Sequence, residues 1–274
     1  MDLHNKLRGI PTVYYLNSDD KVPLKEHMER SLINAKVDKF QRISTSKFTR
    51  ANIIDWKDLL LDKENYKLPV ATAGYSLTIF EFLKDWYNNT EEEQLIISRD
   101  TIDFGLYQYW NFDWEYLMSR VPYDWDAVLL GFENINYIPF YLHQIMPAHT
   151  FGVILLNRRY VKKLIRLHCV GDQYKLTNYI ANKNFGLNSG TPDYFMGHCG
   201  KTYCIPMLPN HTDFFEKGTK RYVITKACRL AYYDWWRNDK KRHSLDELFT
   251  YGKANDTGMI RKIVRYLGTD GLKK

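Results

Sequence analysis

The residues whose types could do chemistry in this chain are a handful of histidines, cysteines and aspartates. His198, Cys199, Cys204 and His211 crowd one stretch and raise zinc, which binds thiolate sulfur and imidazole nitrogen. Their C-x4-C spacing is not that of a ribbon or finger, so ordinary buried thiols are the simpler expectation. His211, within Pro209-Asn210-His211-Thr212-Asp213, could give a nitrogen to a cation, touch a phosphate, or sit solvated in a loop. Asp100 closes an apolar run, where an acid either serves a ligand or caps the next helix. Arg99 beside it either grips an anion or makes a surface ion pair of little value. Aromatic side chains crowd 107–116 and 232–236. Such rings can stack on sugars or bases, but Trp110 and Trp114, four apart on an expected helix, point to core packing. There is no G-x-G-x-x-G, P-loop, G-x-S-x-G or H-E-x-x-H motif, which removes the commonest nucleotide-binding and hydrolase alternatives.

The elements that must position these residues alternate between short apolar runs and amphipathic segments, the pattern of an α/β domain. Strands are expected at 12–16, 39–43, 94–97, 127–130 and 151–156, and helices at 24–35, 80–87, 112–119 and 158–167. Asn157 is the expected N-cap of the last of these. Residues 182–216, rich in Gly, Asn, Pro and Asp, read as long loops with a few short strands, where ligand contacts concentrate. Further on, Ser244 and Glu247 have capping-box spacing. Thr257 is placed to cap a helix with Ile260, Ile263, Val264 and Leu267 on one face.

The chain has 274 residues with a formal charge of +7. Residues 1–216 carry 24 basic and 26 acidic side chains, and residues 217–274 carry 15 and 6. The excess positive charge therefore belongs to the tail, which divides the chain into a nearly neutral domain (1–216) and a basic helical extension (217–274) packed on it. A nucleic-acid-binding role for that tail is the weaker reading, because its Lys and Arg spread over several helical faces. Four scattered cysteines do not make a disulfide framework, nothing at the start reads as a signal peptide, and no apolar run is long enough for a membrane span. A reducing, cytoplasmic setting is expected, and the Asn-, Lys-, Ile- and Tyr-rich composition hints at a viral origin, hence a host cytoplasm.

Several segments in order carry a resemblance. Ile10-Pro11-Thr12-Val13-Tyr14-Tyr15-Leu16-Asn17 is an opening strand ending in a small polar residue, and Phe40-Gln41-Arg42-Ile43-Ser44-Thr45 has an R-I-x-A type turn. Gly74-Tyr75-Ser76-Leu77-Thr78 is similar to a G-C-x-x-S-H helix entrance. Leu95-Ile96-Ile97-Ser98-Arg99-Asp100 stands where an apolar strand ends in an acidic cluster, and Tyr123 to Gly131 completes the set. Over residues 10–215 the chain resembles glycosyltransferase family 25, the lipopolysaccharide and collagen galactosyltransferase-type enzymes.

The resemblance implies a GT-A type, Rossmann-like fold with a mixed central sheet and a hexosyltransferase activity. A galactose-like sugar would pass from a UDP-sugar, with inversion and a divalent cation, Mn²⁺ or Mg²⁺, to a hydroxyl of a glycan or other hydroxylated acceptor. By the same resemblance Leu16, Asn17, Arg42, Ser44, Gly74, Tyr75 and Ser76 contact the donor. Asp100 matches the last carboxylate of the family's acidic cluster and would hold the cation, and Asp193 in Thr191-Pro192-Asp193 resembles the family's P-x-D segment as the candidate general base. Apart from the resemblance, Asp103 could restore a second carboxylate, His211 could add a nitrogen to the cation, and Asp213 is the understudy of Asp193. Ser98 and Arg99 depart from the pattern by replacing two acids. Arg99 could then meet the diphosphate in place of the ion, or the chain could be a non-catalytic relative that binds a nucleotide sugar or a glycan.

Overall fold

Short apolar runs bounded by polar turns become the strands of one mixed sheet in the computed structural model, which describes residues 6–61, 69–146, 149–176, 191–250 and 257–267, the side chains of Asp193 and Thr257 excepted. The strands are β1 (Val13–Asn17), β2 (Phe40–Ser44), β3 (Gln94–Arg99), β4 (Ala127–Glu133), β5 (Tyr137–Pro139), β6 (His143–Gln144), β7 (Thr150–Asn157), β8 (Cys169–Val170), β9 (Gln173–Tyr174), β10 (Thr202–Cys204) and β11 (Ile260–Lys262). The helices are α1 (Val22–Asn34), α2 (Ile53–Trp56), α3 (Val70–Asn89), α4 (Trp114–Arg120), α5 (Arg158–His168), α6 (Pro192–His198), α7 (Lys220–Arg237) and α8 (Leu245–Phe249).

Seven strands form the main sheet in the order β2-β1-β3-β7-β4-β10-β6. β1 runs parallel to β2 and β3, β7 is inserted antiparallel between β3 and β4, and β6 pairs antiparallel with β10 at the edge. This is the mixed α/β arrangement expected, with one mixed central sheet. β1 and β4 are buried along their whole length, as strands covered on both faces must be. The chain leaves β1 through α1 to reach β2 on one side, then returns through α3 to β3 on the other. Connections that diverge in this way open a crevice at the carboxyl ends of β1 and β3, where open α/β sheets place their ligands.

Local chemistry sets the boundaries. Asn157 accepts a hydrogen bond from the Tyr160 amide (2.8 Å) and starts α5 as expected, while Asp113 starts α4 by the same device. α3 begins at Val70, well before the expected start at Phe80, so Gly74 lies inside the helix instead of at its entrance. A Cβ on Gly74 would stand 1.8 Å from the Phe48 carbonyl oxygen. The glycine is therefore needed for close approach of the 48–49 backbone to the helix, at some cost in helix propensity. α6 replaces the loop expected after residue 191, with Pro192 in the first turn where its missing N–H costs nothing.

The C-terminal elements pack on the sheet through aromatic side chains. Tyr232 donates to the Phe132 carbonyl (2.9 Å) and Trp236 to the Pro206 carbonyl (2.8 Å), so these rings, like Trp110 and Trp114, are core. Trp110 lies ahead of α4, however, and stacks on Phe112 at 5.9 Å. Ser244 and Glu247 form the expected capping box at α8. The helix expected from Thr257 is not there. Ile260–Lys262 instead pairs with β5, and Val264, expected on the buried face, is 64% exposed. The unpaired edge of β5 offers backbone hydrogen bonds that a short isolated helix could not match. Among the described residues, no helix is long and apolar enough to cross a membrane.

Candidate functional site

A cavity of about 460 Å³ opens at the crevice between the carboxyl ends of β1 and β3. Leu16, Asn17 and Tyr75 line it together with Arg99 and Asp100, so the structure unites five of the residues singled out from the sequence. Asn17 is the organising side chain. Its amide nitrogen donates to Asp100 Oδ2 (2.9 Å), and its amide oxygen accepts from Arg42 Nε (2.9 Å). Arg42 also forms an ion pair with Asp19, and Ser44 donates to the same carboxylate (2.9 Å). Arg42 and Ser44 thus stand one layer behind the cavity wall and fix Asn17 and the loop that follows β1. Ser76 is fully buried and donates to the Thr72 carbonyl (3.0 Å), so it shapes α3 and does not face the cavity.

Burial raises the Asp100 carboxyl above its ordinary value, and the Asn17 hydrogen bond and nearby cations oppose this without prevailing. Three cations, Lys21, Arg99 and Arg221, line the same cavity. Arg99 lies over the Phe151 ring at 5.3 Å, and Arg221 reaches the wall from the first turn of α7 while pairing with the buried Glu133 at 3.1 Å. Glu133 in turn accepts from Asn210 (2.9 Å), which accepts from Thr101 (2.7 Å), so this chain of bonds ties the end of β3 to the end of β4. Lys21, Phe215 and Arg221 were not singled out from the sequence. Lys21 follows directly on the Asp19-Asp20 turn, but nothing local in the α7 sequence marks Arg221, which arrives by tertiary packing.

Asp103 and His211 are not brought to this cavity. They line a second one of about 330 Å³ with His27 and Arg30. Asp103 accepts from Arg229 (3.0 Å), from Tyr233 (2.8 Å) and from the Gly105 amide (2.8 Å). Burial alone would raise its carboxyl, but these bonds outweigh burial and hold it below the ordinary value. The His211 and His27 rings lie 4.7 Å apart, and burial lowers both imidazoles. Asp213 is exposed beside His211, with 3.6 Å between Nδ1 and Oδ2. The side chain of Asp193 lies outside the described residues, while its neighbour Pro192 lines the first cavity.

The donor set around Asp100 does not suit Mn²⁺ or Mg²⁺. Hard divalent cations want several anionic or neutral oxygens. Here one carboxylate, already hydrogen-bonded on one oxygen, shares the cavity with three cations, and Ser98 is fully buried with its hydroxyl donating to the Arg99 carbonyl (2.9 Å). Such a set suits an anion with several oxygens. The zinc reading on His198, Cys199, Cys204 and His211 is not assembled either. His198 and Cys199 line a third opening of about 600 Å³, His211 lines the second cavity, and Cys204 is buried on β10. That third opening is larger than the crevice but lies at the opposite end of the sheet, where both of its carboxylates are already paired, Asp126 with Arg159 and Asp124 with Lys201.

No protein-family model and no curated protein matches this chain. Among solved structures, it is similar to A197 from STIV, with 10% identity and a TM-score of 0.39 over 73% of this chain and 84% of that one. It is also similar to the inositol-1-phosphate CTP transferase from T. maritima, with 11% identity and a TM-score of 0.36 over 80% and 96%. Mouse xyloside xylosyltransferase 1 gives 10% identity and a TM-score of 0.30 over 57% and 74%. Such distant likenesses bear on neither substrate nor activity.

Proposed function

We propose that this chain is a nucleotide-sugar transferase that binds the diphosphate of a UDP-sugar directly, with side-chain cations where its relatives by resemblance would use a metal ion. The observation that carries this reading is the convergence of Lys21, Arg99 and Arg221 on the crevice at the ends of β1 and β3. Transfer of a sugar leaves a nucleoside diphosphate whose charge must be neutralised, and guanidinium groups do this by paired hydrogen bonds to phosphate oxygens. Thr45, Thr72 and Tyr75, on the β2 and α3 side of the cavity, supply the polar and aromatic wall for the nucleoside.

The acceptor hydroxyl needs a carboxylate to take its proton. Asp193 is the proposed base, because α6 begins at the cavity rim, and Asp213 is its alternate. A galactose-like sugar, inversion and a glycan or other hydroxylated acceptor follow the family 25 resemblance. Residues 1–216 would then carry the donor chemistry, and the 217–274 extension would add Arg221. The buried Ser98 favours one second reading, a binding module that keeps the donor and does no transfer.

Calorimetry with UDP and a panel of UDP-sugars, with and without Mn²⁺, tests the proposal. Binding is expected without metal, and Arg99→Ala should weaken it by about tenfold or more, the loss of a charge-assisted hydrogen bond. Absence of binding in both conditions would sink it. Binding with no hydrolysis of the donor on long incubation would select the module.

A further inference from the structure

The structure assigns a second chemistry to the far edge of the sheet: we propose that His143, His149 and Cys204 form a zinc site that pins the β6 edge to β10 and to the start of β7. One nitrogen of each imidazole and the Cys204 sulfur lie within 4.8 Å of one another. All three residues are buried, with relative exposures of 5%, 2% and 0%. His143 and Cys204 are cross-strand partners in the β6–β10 ladder, so the register itself sets them side by side. His149, just ahead of β7, stacks on Phe132 at 4.1 Å and meets the His143 ring edge-on at 5.4 Å.

Hydrogen bonding orients the ligands as a metal needs them. His143 Nδ1–H donates to the Tyr141 carbonyl (2.7 Å), which leaves the Nε2 lone pair free to bind. His143 Nε2 and both ring nitrogens of His149 are buried without a hydrogen-bond partner. Buried polar atoms are almost always paired, so three orphans in one cluster ask for a missing partner. Thr202, two residues before Cys204 and hence on the same strand face, adds a buried hydroxyl with none either.

Two imidazole nitrogens with one thiolate suit Zn²⁺, which closes its tetrahedron with one further ligand. Ligand atoms on a zinc tetrahedron stand roughly 3.3–3.6 Å apart, as Zn–N and Zn–S bonds of about 2.0 and 2.3 Å require, so the three side chains close in by about an ångström. As the Zn–S bond forms, Cys204 gives its thiol proton to solvent, and the two imidazoles bind in their neutral form.

The test uses the full chain. Elemental analysis after exhaustive dialysis should find a single zinc per chain. Apo chain given Co²⁺ should develop a thiolate-to-cobalt charge-transfer band and intense visible bands of tetrahedral cobalt. Cys204→Ser should abolish the charge-transfer band, Cys199→Ser should leave it, and His149→Ala should weaken Co²⁺ binding by at least about tenfold. Should Cys204→Ser not fold, X-ray absorption at the zinc edge of the wild-type chain decides, with one sulfur and two imidazoles expected in the first shell. A wild-type chain that shows no thiolate band with Co²⁺, a band that survives Cys204→Ser, or a zinc shell without sulfur would overturn the site.

Discussion

Asp100 and Asp103 stand three residues apart in one loop, yet the fold gives them opposite surroundings. Asp103 is held from three directions, by Arg229, Tyr233 and the Gly105 amide. Asp100 keeps one side-chain hydrogen bond, to Asn17, and shares an open cavity with Lys21, Arg99 and Arg221. Burial raises the carboxyl of Asp100, whereas its bonds hold Asp103 low. The contrast separates a carboxylate spent on holding α7 to the sheet from one held in an open, cation-lined crevice. Polar groups fully matched inside the protein stabilise it, and those left under-matched in a cavity are free to meet a ligand.

The largest effect expected from this contrast is on stability. Asp103→Ala leaves the Arg229 guanidinium partly buried and without its carboxylate, which should cost about 3 kcal/mol of unfolding free energy in urea titrations. Combining it with Arg229→Ala should cost less than the sum of the two single changes, because the pair is lost only once. Additive losses would mean that the pair contributes nothing. Next in size, Tyr233→Phe removes one hydrogen bond to Asp103 and should cost about 1 kcal/mol. If Tyr233→Phe were neutral, Arg229 and the Gly105 amide would suffice to hold Asp103.

What the sequence made legible follows from the range of the interactions. Asn17, Tyr75, Arg99 and Asp100 were within reach because strand ends and the helix beside them carry their own signals, and β1 and β3 must be neighbours for the pattern to close. Asn157 and the Ser244 capping box were equally local, and both stand. Arg221 was not legible, since its place on the cavity wall depends on how α7 crosses the sheet and on Glu133, far away in sequence. The segment 257–267 reads as a helix from its sequence and departs from one in the structure for a related reason. Its apolar spacing fits a helical face, but the edge of β5 outcompetes it, and nothing near residue 260 records that edge. The placing of Cys204 beside His143, instead of beside its sequence neighbours, has the same origin, because strand register decides it.

The smallest expected effect discriminates best between the two aspartates. Asp100 has a raised carboxyl, so its contribution to stability is fully present below the ordinary aspartate value of 3.8 and is lost as pH rises through its folded value. Asp103 has a lowered one, so its contribution is present above 3.8 and is lost as pH falls through its folded value. Asp100→Asn keeps the shape, and its side-chain oxygen can still accept from Asn17. It should therefore leave stability at pH 7 unchanged or raise it by less than about 1 kcal/mol, while Asp103→Asn lowers it at pH 7 and matters progressively less in acid. The same Asp100→Asn change removes a negative charge from beside the cations, so metal-free UDP binding should tighten by about two- to fivefold. A cation site would behave in the opposite way, since loss of its one carboxylate would weaken UDP binding in the presence of Mn²⁺ and do nothing without it. Unfolding at pH 7 and pH 4, together with UDP titration with and without Mn²⁺, places Asp100 on one side of that divide.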